Sequence, residues 1–136
     1  MITLIKQIKI NTTNHIEIHN ITNKIQEIIN ENNIINGLVN IHTLHTTTSI
    51  AINEYEPNLI KDYKKLLTKL VPETQEYEHN KIDGNATSHL KSLLIQTNQT
   101  IPIQDKKMLI GTWQDILFIE LDGPRTERTI LITIVT

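Results

Sequence analysis

Asp115-Ile116-Leu117-Phe118-Ile119-Glu120-Leu121 is the stretch that decides the fold. Successive side chains of a strand point to opposite faces. From Ile116 to Leu121 both faces are apolar, so this strand is expected at the centre of a sheet and covered on both sides. Two turns flank it: Gly111-Thr112-Trp113-Gln114 before, Asp122-Gly123-Pro124-Arg125 after. Beyond the second turn, Glu127–Val135 reads as a strand. Upstream, Thr100–Ile103 and Met108–Ile110 read as strands around a turn at Asp105-Lys106.

The first half alternates in the same way. Ile2, Leu4, Lys6, Ile8 and Ile10 share one face of a strand, and His15–Ile21 alternates again. These two runs read as a hairpin around Asn11–Asn14. A helix follows, with Thr22 or Asn23 as its cap, Ile25, Ile28 and Ile29 as its apolar stripe, and Gly37 beyond its end. Leu38–Leu44 and Ile50–Glu54 are strands. Pro57 opens a second helix whose Leu59, Ile60, Tyr63, Leu66, Leu67 and Leu70 fall on one face. An aperiodic polar stretch covers Glu73–Gly84. A third helix spans about Asn85–Gln96, with Ala86, Leu90, Leu93 and Leu94 expected inward. The order ββαββααββββ predicts one domain over 1–136 of the α+β class: an antiparallel sandwich carrying about three helices.

The chain has 136 residues, 38% of them hydrophobic, a net charge of −2 and no cysteine. That length closes one core. The absence of cysteine excludes disulfides, thiolate zinc sites and cysteine nucleophiles. Without basic blocks or an aromatic platform, nucleic-acid binding is not expected. No apolar run approaches the ~20 residues of a membrane span, and the N-terminal alternation lacks a secretory h-region, so a cytoplasmic location is expected.

Residues able to do chemistry sit at the joints. His45-Thr46-Thr47-Thr48-Ser49 is either a turn whose hydroxyls satisfy backbone groups or a pocket corner offering an imidazole and hydroxyls to phosphate oxygens. Glu54 ends the apolar face of Ile50 and Ile52. It either escapes to solvent or, if enclosed, is a candidate general acid or base. Asp83-Gly84-Asn85 leads into the third helix, where Asn85 is either an N-cap or a site residue. His45, His79 and His89 come from separate places and can form a three-histidine site for a divalent ion, Zn or Mg. Trp113 offers a flat apolar wall and Gln114 a bidentate amide, unless both only pack a corner. Arg125 and Arg128 suit an anion.

Taken together, His45-Thr46-Thr47, Ile52-Asn53-Glu54, His79, Asp83-Gly84-Asn85-Ala86, His89, Pro102, Leu109-Ile110-Gly111-Thr112-Trp113-Gln114 and Glu120-Leu121-Asp122-Gly123-Pro124-Arg125 resemble the YjbQ-like family, also called the secondary thiamine-phosphate synthase family. The resemblance covers essentially the whole chain. It implies a compact antiparallel sandwich, a homotrimer, and a weak activity that joins hydroxymethylpyrimidine diphosphate to thiazole phosphate with release of diphosphate. Glu54, Asp83 and Asn85 would then be catalytic. Thr46, Thr47, Trp113, Gln114 and Arg125 would bind substrate. The alternatives are a phosphometabolite-binding module without turnover and a different metal-dependent enzyme. The chain departs from the family where Gln96 and the Lys106-Lys107 region replace glycines. Its second arginine also falls three residues after Arg125 instead of two, which favours Arg125 over Arg128 as the anion contact.

Overall fold

The computed structural model describes residues 2–136; Met1 lies outside them. Eight strands and three α-helices follow in the order β1 (Thr3–Thr12), β2 (Glu17–Asn20), α1 (Thr22–Glu31), β3 (Gly37–Thr43), β4 (Thr48–Asn53), α2 (Pro57–Leu70), α3 (Ala86–Ile95), β5 (Asn98–Gln104), β6 (Lys107–Met108), β7 (Asp115–Glu120) and β8 (Arg125–Val135). A 3-10 turn at Glu78–Lys81 precedes α3. The strands form a five-stranded sheet, β1-β8-β3-β5-β6, and a three-stranded sheet, β2-β7-β4. Among the described residues no helix is long and apolar enough to cross a membrane.

The alternation of β7 explains the layering. Ile116 and Phe118 point into a core shared with Ile130, Ile132 and Ile134 of β8 and Ile25 and Ile29 of α1. Leu117, Ile119 and Leu121 point the other way and pack with Leu67, Ile60 and Tyr63 of α2. The central strand is therefore covered on both sides, as its sequence requires.

Three expectations are corrected. The expected hairpin of β1 and β2 does not form. β1 pairs with β8 and β2 with β7, so the Asn11–Asn14 loop carries the chain from one sheet to the other. Neither Thr22 nor Asn23 is the N-cap of α1. Ile21 holds that position, while the Thr22 hydroxyl ties Asn20, Asp115 and the Ile116 amide together. Finally, α3 turns its small polar face inward. Ala86, Thr87, Ser88, Lys91 and Ser92 are buried, whereas Leu90, Leu93 and Leu94 are exposed. The reason is polar satisfaction: Ser88 donates to the Leu121 carbonyl at 2.7 Å and Ser92 to that of Thr48 at 2.7 Å. Two carbonyls at strand ends are thereby paired, which apolar side chains could not achieve.

Asp105 and Lys106 form the two-residue β5–β6 turn with φ of 50° and 69°. A positive φ at both positions is the geometry that favours glycine second. Lys106→Gly should raise unfolding free energy by about 1 kcal/mol in urea titrations.

Candidate functional site

One corner of the sandwich is built around a buried ion pair. Glu120, at the end of β7, is fully buried, and Arg128, near the start of β8, is nearly so. Arg128 donates from Nε at 2.8 Å and from Nη2 at 2.6 Å to the two carboxylate oxygens. Thr12 donates to Glu120 Oε1 at 2.7 Å, and the Asp122 amide donates to Oε2. Arg128 Nη2 also donates to Thr47 at 2.9 Å. Burial alone would raise the Glu120 carboxyl, but the bonds from Arg128 and Thr12 hold it below the usual carboxylate range. The pair had a readable signal: Glu120 shares a face with Ile116 and Phe118, and Arg128 one with Ile130, Ile132 and Ile134. A lone charge on an apolar face calls for an opposite one.

The pair positions two segments. The first is the corner after β3. Leu44 donates its amide to the Thr129 carbonyl, the Thr129 amide donates to His45 Nε2 at 2.8 Å, and the Leu121 amide to the Thr47 carbonyl. Burial and the neighbouring Arg128 charge push the His45 imidazole below its ordinary range, with Glu120 partly opposing them. The second segment is Asp122–Arg125. The Arg125 amide donates to Thr12 Oγ1 at 3.0 Å, and the Gly123 amide to the His15 carbonyl. A Cβ on Gly123 would run into the Asn14 carbonyl, so no larger residue fits this turn.

From there a polar chain crosses to α3. Arg125 Nη2 donates to Asp122 Oδ2 at 3.1 Å, and Asn85 Nδ2 donates to the same oxygen at 2.8 Å. Asn85 Oδ1 meets His79 Nε2 at 3.0 Å. The His79 ring stands edge-on to His89 with centroids 4.8 Å apart. Asn85 holds the N-cap position of α3 but makes no capping bond with its side chain. Asn80 Oδ1 accepts the Ala86 amide instead, at 3.1 Å, and this frees Asn85 for the chain. Thr46 and His89 line one groove of about 470 Å³ beside Leu90, Leu93 and Gln96.

Other sequence-nominated residues lie elsewhere in the chain. Asp83 is exposed and accepts the amide of Gly84. Glu54 follows the far end of β4; its backbone carbonyl accepts the Tyr63 hydroxyl at 2.8 Å. Trp113, 73% exposed, and Gln114, whose Oε1 accepts the Gly111 amide at 2.8 Å, precede β7. In the β4–β7 ladder Thr48 pairs with Glu120 and Asn53 with Asp115. Those pairs are five residues apart, about 17 Å along a strand. A single subunit thus places Thr46, Thr47, His45, Asn85 and Arg125 at one end of the sheet, and Glu54, Trp113 and Gln114 at the other.

The three histidines as arranged do not fit one ion. The Nε2 lone pair of His45 already accepts the Thr129 amide. Among the described residues no three His, Asp or Glu side chains approach closely enough to hold a metal. Of the three, His79 and His89 stand next to each other.

The chain matches the family described as UPF0047 protein YjbQ-like over residues 6–136. It belongs to that family. A UPF0047 protein of Archaeoglobus fulgidus is 39% identical over 125 residues, covering 92% of this chain and 97% of the relative. One from Methanothermobacter thermautotrophicus is 39% identical over 123 residues, covering 90% and 86%. Among solved structures, a YbjQ-like protein of unknown function from Sulfolobus solfataricus superposes with a TM-score of 0.94 at 32% identity, covering 97% of this chain and 96% of that one. The YjbQ-like fold is thus common to this chain and its solved relatives.

Removing the Arg128 guanidinium leaves Glu120 buried without its partner. Arg128→Ala should lower stability by about 3–5 kcal/mol in denaturant titrations. Acid should weaken the fold through His45 and Glu120 in turn. A His45 imidazole held below its ordinary range contributes fully above about pH 6.5, and that contribution is lost as pH falls through its folded value. The lowered Glu120 carboxyl contributes above the ordinary value of 4.5, and its share is lost on further acidification. Denaturation midpoints measured from pH 8 to pH 3 should therefore fall in two stages, at about these ranges.

Proposed function

We propose that this family member binds a phosphorylated metabolite at the Arg125 end of the sandwich and acts as a secondary thiamine-phosphate synthase. One observation supports the reading above others. Arg125 is held in place by Asp122 while half of its side chain stays exposed beside Asn85 and the two adjacent histidines. Nη2 serves Asp122 and Nη1 the Pro124 carbonyl, so further N–H groups of the five on a guanidinium stay available for phosphate oxygens.

In the proposed reaction the thiazole ring nitrogen gives its lone pair to the pyrimidine methylene carbon. The carbon–oxygen bond to diphosphate breaks, and diphosphate leaves with that bond's electrons. The nucleophile needs no activation, so the protein's task is to stabilise the leaving charge and exclude water. Arg125, Thr46 and Thr47 belong to the first task in this reading, and Trp113 to the second. Glu54, Asp83 and Asn85 orient the reactants or handle protons. An ion on His79 and His89, Zn or Mg, needs its other donors from the ligand or a second subunit.

The two ends of the sheet come together in this reading through assembly as a cytoplasmic homotrimer. Ile5, Leu38, Leu131 and Val135 share the face of the five-stranded sheet turned away from the core, where the strand register aligns Val135 with Leu38. Ile5 is 60% exposed and Leu38 49%. Trp113 and the outward leucines of α3 add further apolar surface that a neighbour would cover. The 17 Å separation inside one chain favours a second reading, a phosphometabolite-binding module without turnover.

Diphosphate release from hydroxymethylpyrimidine diphosphate, dependent on thiazole phosphate, separates the two. Under the first reading the wild type releases diphosphate, Arg125→Ala loses activity by about tenfold or more while remaining folded, and mixing Arg125→Ala with Trp113→Ala subunits restores part of it. Metabolite binding without release supports the module. Activity that is unchanged in Arg125→Ala contradicts the proposed site.

A further inference from the structure

The hydrogen bonds around His45 and His79 fix where each neutral imidazole carries its proton. His45 Nε2 receives a backbone amide N–H from Thr129 at 2.8 Å. A backbone amide can only donate, so Nε2 bears the lone pair and the ring proton sits on Nδ1. His79 is set by a longer chain. The Asp122 carboxylate only accepts, so the Asn85 amide must present its Nδ2 hydrogens to it, at 2.8 Å. Asn85 Oδ1 then faces His79 Nε2 at 3.0 Å and accepts, so the His79 proton sits on Nε2 and Nδ1 bears the lone pair. Turning the Asn85 amide over would set its oxygen against the carboxylate and its hydrogens against His79, breaking the bond to Asp122. Arg125, bonded to the same Asp122 oxygen, reinforces the anchor.

We propose that His45 and His79 are locked in opposite tautomers, so that His45, next to Thr46 of the groove, offers a ligand one fixed N–H donor, and His79, edge-on to the groove residue His89, one fixed lone pair. The matching ligand has anionic oxygens for the His45 Nδ1 proton, while the one lone pair of His79, on Nδ1, serves either an ion shared with His89 or an N–H or O–H group of the ligand. Asn85 and Asp122 are then positioning residues: they act on the ligand through the orientation and proton of His79. The inference rests on the proposed phosphometabolite site for its ligand, but the tautomers themselves stand on the bonds within the chain. It also accounts for the poor fit of a three-histidine ion, since His45 has no free lone pair to give.

The direct test is a two-bond nitrogen–proton correlation spectrum of the histidine side chains of the full chain, above the imidazole range, with peaks assigned by single substitutions. His45 should show the Nδ1–H pattern and His79 the Nε2–H pattern. In Asn85→Ala the His79 Nε2 proton should exchange with water faster, with His45 unchanged. Inorganic pyrophosphate supplies the ligand arm. An asparagine amide nitrogen overlays Nδ1 of histidine, and a glutamine amide nitrogen overlays Nε2. His45→Asn should therefore keep pyrophosphate affinity within a few-fold, and His45→Gln should lose about tenfold or more. An Nε2–H pattern for His45, or an Nδ1–H pattern for His79, overturns the inference. Equal pyrophosphate affinities in the two His45 variants overturn the donor role. The spectra need no turnover, so a failed diphosphate-release assay with the expected tautomers removes the reaction and leaves this inference standing.

Discussion

The buried pair of Glu120 and Arg128 is the constraint on which the rest of the corner depends. Glu120 ends the central strand of the small sheet, and Arg128 lies on a strand of the large one. Joining them fixes how the sheets meet where the chain turns from β7 to β8. Such a pair repays the cost of burial only when its remaining oxygens and protons are also satisfied. Here Thr12, Thr47 and the Asp122 amide supply those partners. The same bonds anchor Asp122–Arg125 and the corner bearing His45. Stability and site geometry thus use the same atoms.

The second support is α3, which inverts the usual amphipathic rule. Its serines face inward and its leucines outward. Inward serines bring the helix close to the strand ends and pair the carbonyls there. Outward leucines leave an apolar surface beside the groove of Thr46 and His89. Lys91 is buried on the inward face with Glu73 3.6 Å away, and Glu73 also accepts the Thr87 hydroxyl. The segment following α2 is thereby attached to α3 ahead of the turn that carries His79.

Much of the fold was legible in the sequence because periodicity and turn residues are local. The both-faces-apolar run of β7, the Pro57 start of α2 and the Asp105-Lys106 turn all read directly. Strand partners did not, since the Asn11–Asn14 loop has the composition of a hairpin turn whether the chain folds back or crosses to another sheet. The buried face of α3 was illegible for a related reason: which face wins depends on carbonyls of Leu121 and Thr48, distant in sequence. At the site, nomination by position at element ends gathered Asn85 and Arg125, and the grouping of histidines as metal donors gathered His79 and His89. It did not give Asn80 as the residue that frees Asn85, nor Asp122 as the hub between Asn85 and Arg125. Those roles are set by side-chain geometry that no spacing encodes.

The central claim is that Glu120 and Arg128 position the Asp122–Arg125 segment, beyond merely adding stability. Amide hydrogen exchange in a Glu120→Leu, Arg128→Met double variant tests it most directly. Replacing both members with apolar residues of similar size avoids stranding a buried charge and keeps the sandwich folded. The expected result is loss of protection at the Asp122 and Arg125 amides, whose acceptors are Glu120 and the Thr12 hydroxyl it holds, with protection retained at Ile130, Ile132 and Ile134 of β8. Wild-type protection at Asp122 and Arg125 in that variant would contradict it.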